Sequence, residues 1–283
     1  MLPWVLRDAR RRGERYVIED LRAQAAAAAK LLTKGAQEGR AALERAHRRV
    51  QQVSVVHTVP RGAQFFAHLA SAAYARINKD TAKLRRATER ALKAGYVLDT
   101  KLSDDRHLVF RGKRDSVVAF RGTAQRSDWL VDLRVVMEKH QKHQHFQNAV
   151  ALVKRVMDEH GHARVKLCGH SLGGAAALHA AQELSSLQGQ LSSLSAEAYA
   201  FNPAVSPLMA ARWVRSVWGQ QHTPPAVELR KRHSRLHVYL VKGDPVSSSL
   251  LLASTAQYDL HVLPPRPGLN AHALANFLPG GKT

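Results

Sequence analysis

Residues 163–174 read Ala163-Arg164-Val165-Lys166-Leu167-Cys168-Gly169-His170-Ser171-Leu172-Gly173-Gly174. The first six form an apolar-rich run with the length of a strand, and Gly174 to Leu184 is a helix-forming run. Between them lies a serine with a glycine two residues away on either side. Strand, sharp turn and helix in this order are the sequence form of a nucleophile elbow, in which a strained turn exposes a serine hydroxyl. The glycines are needed because a Cβ at Gly169 or Gly173 would collide with neighbouring strand or helix backbone. The pentapeptide alone is weak, since glycine and serine at roughly 7% each produce it by chance in about one chain in ten of this length. Its strand–turn–helix setting is what gives it meaning.

Working outward, the flanking sequence alternates between the two periodicities. Upstream, Ala63 to Ile77 and Thr81 to Lys93 read as helices, and Gly95 ends the second. Strands are expected at 96–98, 107–110 and 116–120, the last two joined as a hairpin through Gly112-Lys113-Arg114-Asp115. Further along, a helix at about 141–159, the elbow strand 164–168 and its helix 174–187 follow. Then come a strand at 196–201, a helix at about 206–218, and strands at 235–242 and 257–263. This alternation predicts an α/β fold, a mostly parallel central sheet with helices on its faces. Functional residues then belong at the carboxyl ends of strands.

Residues 1–60 read differently. Apolar positions from Ile18 to Val53 recur every three or four residues, many of them alanine, which predicts one long helix or two across 14–56. The stretch is basic, with five arginines between Arg7 and Arg15. The expected organisation is therefore a basic helical N-terminal extension, 1–60, and an α/β domain, 61–283, with Thr58-Val59-Pro60-Arg61-Gly62 as the break.

With 43 Lys and Arg against 22 Asp and Glu, the formal charge is +21. Such an excess favours anionic partners, of which an anionic membrane surface fits better than nucleic acid. No zinc-knuckle or other nucleic-acid signature is present. There is no apolar run of about 18 residues and no secretory leader pattern. The one cysteine, Cys168, excludes an internal disulfide and reads as a small buried residue. The oligomeric state is open. His140, His143 and His145 lack paired carboxylates and read as a helix face facing solvent rather than metal ligands. No phosphate-cradling loop is present, and no cofactor or metal is expected.

A serine hydroxyl attacks an acyl carbon only when a base takes its proton, and a carboxylate must orient that base. Asp244 follows Gly243 at a strand end and suits the acid. Two histidines come after it. His261 lies inside the expected strand, where an inward histidine is more often structural. His272 lies in a loop ahead of a short helix and can reach the elbow, so it is the favoured base. Ser171, Asp244 and His272 follow the chain order of α/β-hydrolases.

The chain resembles the class 3 lipases, the fungal triacylglycerol lipase family, over roughly residues 62–280. The resemblance rests on Val117 to Thr123 followed by Asp128-Trp129-Leu130-Val131-Asp132-Leu133. It rests equally on Gly169 to Ala175, on Ala200-Phe201-Asn202-Pro203 and on Gly243-Asp244-Pro245-Val246. It implies an α/β-hydrolase fold and hydrolysis of lipid esters, acylglycerol or phospholipid, without a cofactor. Ser171 is then the nucleophile, Asp244 the triad acid, and Thr123 and Leu172 the oxyanion donors. The segment His272 to Leu278 looks like the histidine-bearing end of short lipase-like proteins of phages and large viruses. Departures from the secreted fungal enzymes are the short Asp244–His272 interval and the absence of disulfides and a signal peptide, the last two of which make an intracellular or virion-borne location the expectation. The stretch after the RG block, 124–130, is short and polar, which predicts a small or absent lid. Trp129 there is a possible substrate contact, although a core position is the more ordinary place for a tryptophan. Trp213 and Trp218, near Arg212 and Arg215, read as one face of an amphipathic helix, with an interfacial patch for anionic lipid as the other reading. His170 is expected to point away from the serine, either packing or supporting the residues that do the chemistry. A non-catalytic component of this fold, binding membrane or nucleic acid through its basic surface, is the rival reading.

Overall fold

The strand Ser116–Phe120 is buried along its whole length, and every residue of its Ser-Val-Val-Ala-Phe run is shielded from solvent. A strand without polar–apolar alternation must be covered on both faces, and this one is central. The computed structural model describes residues 54–123, 144–161, 164–187, 195–204, 236–244, 247 and 258–279. Its strands are β1 (Ser54–Val55), β2 (Val97–Asp99), β3 (His107–Arg111), β4 (Ser116–Phe120), β5 (Arg164–His170), β6 (Ser195–Phe201), β7 (Leu236–Val241) and β8 (Asp259–Leu263). They form one eight-stranded sheet in the order β1-β8-β7-β6-β5-β4-β3-β2. From β4 across to β1 all neighbours are parallel, and β2 and β3 are added antiparallel.

The described helices are α1 (Arg61–Ala72), α2 (Thr81–Lys93), α3 (Gln144–His160) and α4 (Leu172–Leu187), with a 3₁₀ turn at Leu274–Phe277. On one face, α3 and α4 bury Phe146, Val153, Val156 and Leu178 against Val118, Phe120, Leu167 and Val238. On the other, α1, α2 and the 3₁₀ turn bury Phe66, Leu69, Ala91 and Phe277 against Val117, Ala119, Cys168 and Phe201. Neighbouring residues of β4 therefore serve opposite cores, as a two-residue repeat requires. Each fully buried valine or phenylalanine here contributes about 1.5–3 kcal/mol. The fold is α/β with a mostly parallel sheet flanked by helices, as the alternation of elements implied.

Several details differ from the sequence reading. Ser54–Val55, at the end of the stretch read as helix, is strand β1. It pairs parallel with β8, Ser54 opposite His261, so the sheet takes in residues from the segment assigned to the extension. The helix expected over 63–77 spans Arg61–Ala72 and gives way to turns. Ile77 is left exposed, so it had no core face to hold the helix on. The strand at the elbow runs two residues further than expected, to His170. The expected helices within 14–53 and at 206–218 lie outside the described residues. So do Trp129, the stretch 124–130, Trp213, Trp218, His140 and His143. Among the described residues no helix is long and apolar enough to cross a membrane.

Candidate functional site

Ser171 sits between β5 and α4 with a φ of +57°, in the left-handed region that a non-glycine residue rarely occupies. Three backbone hydrogen bonds hold it there. Its N–H donates to the Phe201 carbonyl at 3.1 Å. Its carbonyl accepts from Ala175 at 3.1 Å and from Ala204 at 3.0 Å. The two flanking glycines are required for the reason their positions suggest. A Cβ on Gly169 would run into the Gly173 carbonyl and lie 2.7 Å from the Gly174 nitrogen. One on Gly173 would run into the Phe120 carbonyl oxygen. The elbow is thus pressed between its own helix and the carboxyl end of β4.

That end of β4 carries Arg121-Gly122-Thr123. A Cβ on Gly122 would lie 2.6 Å from the His170 carbonyl oxygen and 3.3 Å from the Ser171 Cβ. The turn bearing Thr123 therefore abuts the serine. Leu172 opens α4, where helix N–H groups have no partner within the helix and the dipole is positive. Beside this turn, the Arg121 Nε and Nη1 are buried without a hydrogen-bond partner among the described residues.

Asp244 follows β7 through Gly243, whose φ is +81°. It is fully buried. One carboxylate oxygen, Oδ1, lies 3.0 Å from His272 Nδ1. The other accepts from the Ser247 hydroxyl and from the Ser247 N–H at 3.2 Å. The carboxylate is desolvated and aimed, which is what an acid orienting an imidazole needs. His261 lies elsewhere. It is on β8, three strands and about 14 Å across the sheet from the elbow strand. Its Nε2 contacts Asp259 Oδ2 at 3.2 Å.

The loop carrying His272 is tied down on three sides. Its own N–H donates to Asn270 Oδ1 at 2.8 Å. Asn276 Nδ2 donates to the carbonyls of Asn270 and Ala273 at 2.8 and 2.9 Å. Asn202, at φ +41° just after β6, donates to the Ala271 carbonyl at 2.8 Å and accepts from the Val241 N–H at 2.8 Å. Asn202 thus couples the strand end before Asp244 to the loop that bears His272. The sequence showed Phe201-Asn202-Pro203 as a motif without revealing this task.

His170 does not simply pack away from the site. Its Nε2 is 2.7 Å from the His272 carbonyl oxygen, and the two rings lie 4.8 Å apart. A carbonyl can only accept, so Nε2 carries the proton. Burial, joined by the His272 ring, lowers the His170 pKa to about 3, so the imidazole is neutral and its Nδ1 is an acceptor. Tyr74 donates to that Nδ1 at 3.2 Å. The same hydroxyl accepts from the Gly122 N–H at 3.1 Å. One chain of hydrogen bonds therefore runs from the Thr123 turn through Tyr74 and His170 to the backbone of His272. Tyr74 follows α1 and is some hundred residues from the elbow in sequence, so only its hydrophobic register could have hinted at a role. Cys168 is buried and free, and burial pushes its thiol pKa up, consistent with an inert packing residue.

A mostly parallel sheet with a strained serine at the turn after β5 is the arrangement of the α/β-hydrolases. The model of the Tle-like phospholipase domain matches residues 65–251, about two thirds of the 283 residues, and the chain belongs to that family. The matched span holds Ser171 and Asp244 and ends before His272. Among solved structures the chain is similar to a Rhizomucor miehei lipase–propeptide complex, at 17% identity and a TM-score of 0.41. That match covers 65% of this chain and 60% of the other, so under two thirds of the fungal chain is spanned. A lipase from Rhizopus microsporus var. chinensis matches at 19% identity and a TM-score of 0.38, covering 68% and 70%. No curated protein matches.

Proposed function

We propose that this chain hydrolyses carboxylic ester bonds of lipids through Ser171, His272 and Asp244. The observation that carries the reading is the buried Asp244 carboxylate held 3.0 Å from His272 Nδ1, with the His272 backbone bonded to the residue preceding Ser171. In this mechanism the His272 Nδ1–H donates to Asp244, which leaves Nε2 as the base. Ser171 Oγ attacks the acyl carbon as His272 takes its proton. The N–H groups of Thr123 and Leu172 receive the charge that develops on the carbonyl oxygen. His272 then protonates the departing alcohol, and water deacylates the serine by the reverse path.

Phospholipid is the favoured substrate within this class. The family supports it, and so does Arg121. Its Nε and Nη1 are buried with no partner among the described residues, and a phosphate diester nearby would supply one. The charge of +21 would also draw the protein to an anionic membrane surface. The rival of a purely binding role gains no support from the site, since a binding protein needs neither the buried acid nor the strained serine.

The test is turnover of short- and long-chain p-nitrophenyl esters and of phosphatidylglycerol vesicles by wild type, Ser171→Ala and Asp244→Asn. Ser171→Ala should lower kcat by about 10⁶-fold and Asp244→Asn by about 10⁴-fold. Equal rates in wild type and Ser171→Ala would overturn the proposal, and salt-sensitive DNA binding without esterase activity would favour the rival. His261→Ala should keep its activity while His272→Ala loses it. For the substrate, Arg121→Ala should raise KM for the phospholipid at least tenfold and leave the neutral short-chain ester within twofold. An equal effect on both would refute the phosphate contact.

A further inference from the structure

The sheet carries a second cluster of ionisable groups, away from the elbow and on the face covered by α1. His237 is the second residue of β7, Asp259 the first of β8 and His261 the third of β8. Register places His237 opposite Asp259, and His261 opposite Tyr239. Asp259 Oδ2 lies 3.0 Å from His237 Nδ1 and 3.2 Å from His261 Nε2. One ligand atom from each of the three lies within 4.8 Å of the others. Along β7 the cluster is about 13 Å from Val241, before the turn that leads to Asp244, so it is separate from the site described above.

We propose that His237, Asp259 and His261 form a divalent transition-metal site, suited to Zn²⁺. Ligand atoms of a tetrahedral zinc ion stand about 3.3 Å apart, given bonds of about 2.0–2.1 Å. The two Asp259 contacts match that spacing. Two imidazoles with one carboxylate are a borderline donor set that favours zinc over calcium or magnesium. The outer groups are also in place. His237 Nε2 is 3.1 Å from Glu197 Oε1, so its second nitrogen donates to a carboxylate while Nδ1 turns to the metal. Tyr199 donates to the same Glu197 oxygen at 3.0 Å. Both ligand rings are stacked, His237 on Tyr199 and His261 on Tyr239, each with centroids 4.7 Å apart. His261 Nδ1 is buried without a partner among the described residues, which leaves Nε2 as the nitrogen engaged with Asp259. The Asp259 side chain is 56% exposed, so the ion would have access from solvent and keep a water as its fourth ligand.

Without metal, His237 is bonded to Asp259 through Nδ1 and to Glu197 through Nε2. The ion would tie β7 to β8 and, through Glu197, both to β6. Its function is structural, because no reacting atom of the elbow is within reach.

The experiment is a titration of the full chain with ZnCl₂ against a chromogenic chelator at pH 7.5. Wild type should bind one equivalent at micromolar affinity or tighter. Asp259→Asn, whose exposed position spares the packing, should weaken it at least tenfold, and Glu197→Gln by about tenfold through the outer contact. Zinc should raise the Tm of the wild type and leave that of Asp259→Asn unmoved. Ester turnover by Asp259→Asn should match wild type. The other histidines could bind zinc loosely, so equal titration curves for wild type and Asp259→Asn would overturn the site. So would a wild-type affinity weaker than about 100 μM.

Discussion

Removing one oxygen atom, by Tyr74→Phe, tests whether the site is held together by the path through His170. In the native protein the Tyr74 hydroxyl accepts from the Gly122 N–H at 3.1 Å and donates to His170 Nδ1 at 3.2 Å. Phenylalanine keeps the ring and the packing but leaves both groups without that partner. Each orphaned buried group costs about 1–3 kcal/mol, so the loss in stability should be about 2–6 kcal/mol. Function should fall for a related reason. Gly122 precedes Thr123, and His170 precedes Ser171, so loosening either shifts the proposed oxyanion donor relative to the proposed nucleophile. A misplacement of about 1 Å costs on the order of 100-fold in rate. The assay is urea denaturation followed by fluorescence, together with kcat and KM on a p-nitrophenyl ester. Because Tyr74 positions groups and does not touch substrate, kcat should drop by roughly 10- to 100-fold while KM moves little. A variant with wild-type kcat and a stability change below about 0.5 kcal/mol would refute the reasoning. Loss of stability with full kcat would restrict the network to folding.

Other outcomes follow from the same geometry. Gly173→Ala would drive a methyl group into the Phe120 carbonyl, and the cost should be about 3 kcal/mol, visible as a lowered urea midpoint. The His170 pKa, lowered to about 3 from 6.5, has a stated sign: the unfolded chain takes up a proton below about pH 6.5 that the folded protein refuses. Stability should therefore be fully present above pH 6.5 and fall toward pH 4, by up to about 3 kcal/mol from this residue. His170→Asn should flatten that slope, and an unchanged slope in matched urea titrations would refute the assignment. Asn202→Ala removes the link between the β7 end and the Ala271 carbonyl, and kcat should fall at least tenfold without a matching change in KM. Wild-type kcat would show that the His272 loop holds its place without it.

Much of the architecture was legible because its signals are local. Periodicity changes from two to about 3.6 wherever β gives way to α, and the hairpin at Gly112 to Asp115 uses ordinary turn residues. Reading failed where a local pattern lacked a tertiary partner. Ala63 to Ile77 carries helical spacing throughout, yet the helix stops at Ala72 because Ile77 faces solvent. Ser54–Val55 continues an alanine-rich helical stripe and is nevertheless a strand, since β8 offers an open edge to pair with.

The elbow itself was a matter of sequence. Gly169, Ser171 and Gly173 specify a turn within five residues, because the clashes their substitution would cause are with backbone set by the same short segment and the adjoining β4. The proposed acid, Asp244, was legible for a similar reason, a glycine–aspartate pair at a strand end. What joins those groups was decided only in three dimensions. Tyr74 and His170 are 96 residues apart, and His170 and the His272 carbonyl are 102 apart. The meeting of His237, Asp259 and His261 likewise depends on the parallel pairing of β7 with β8. Hydrogen bonds act over about 3 Å and carry no trace along the chain. Their partners are set by strand order and register, which a sequence specifies jointly and never at one position.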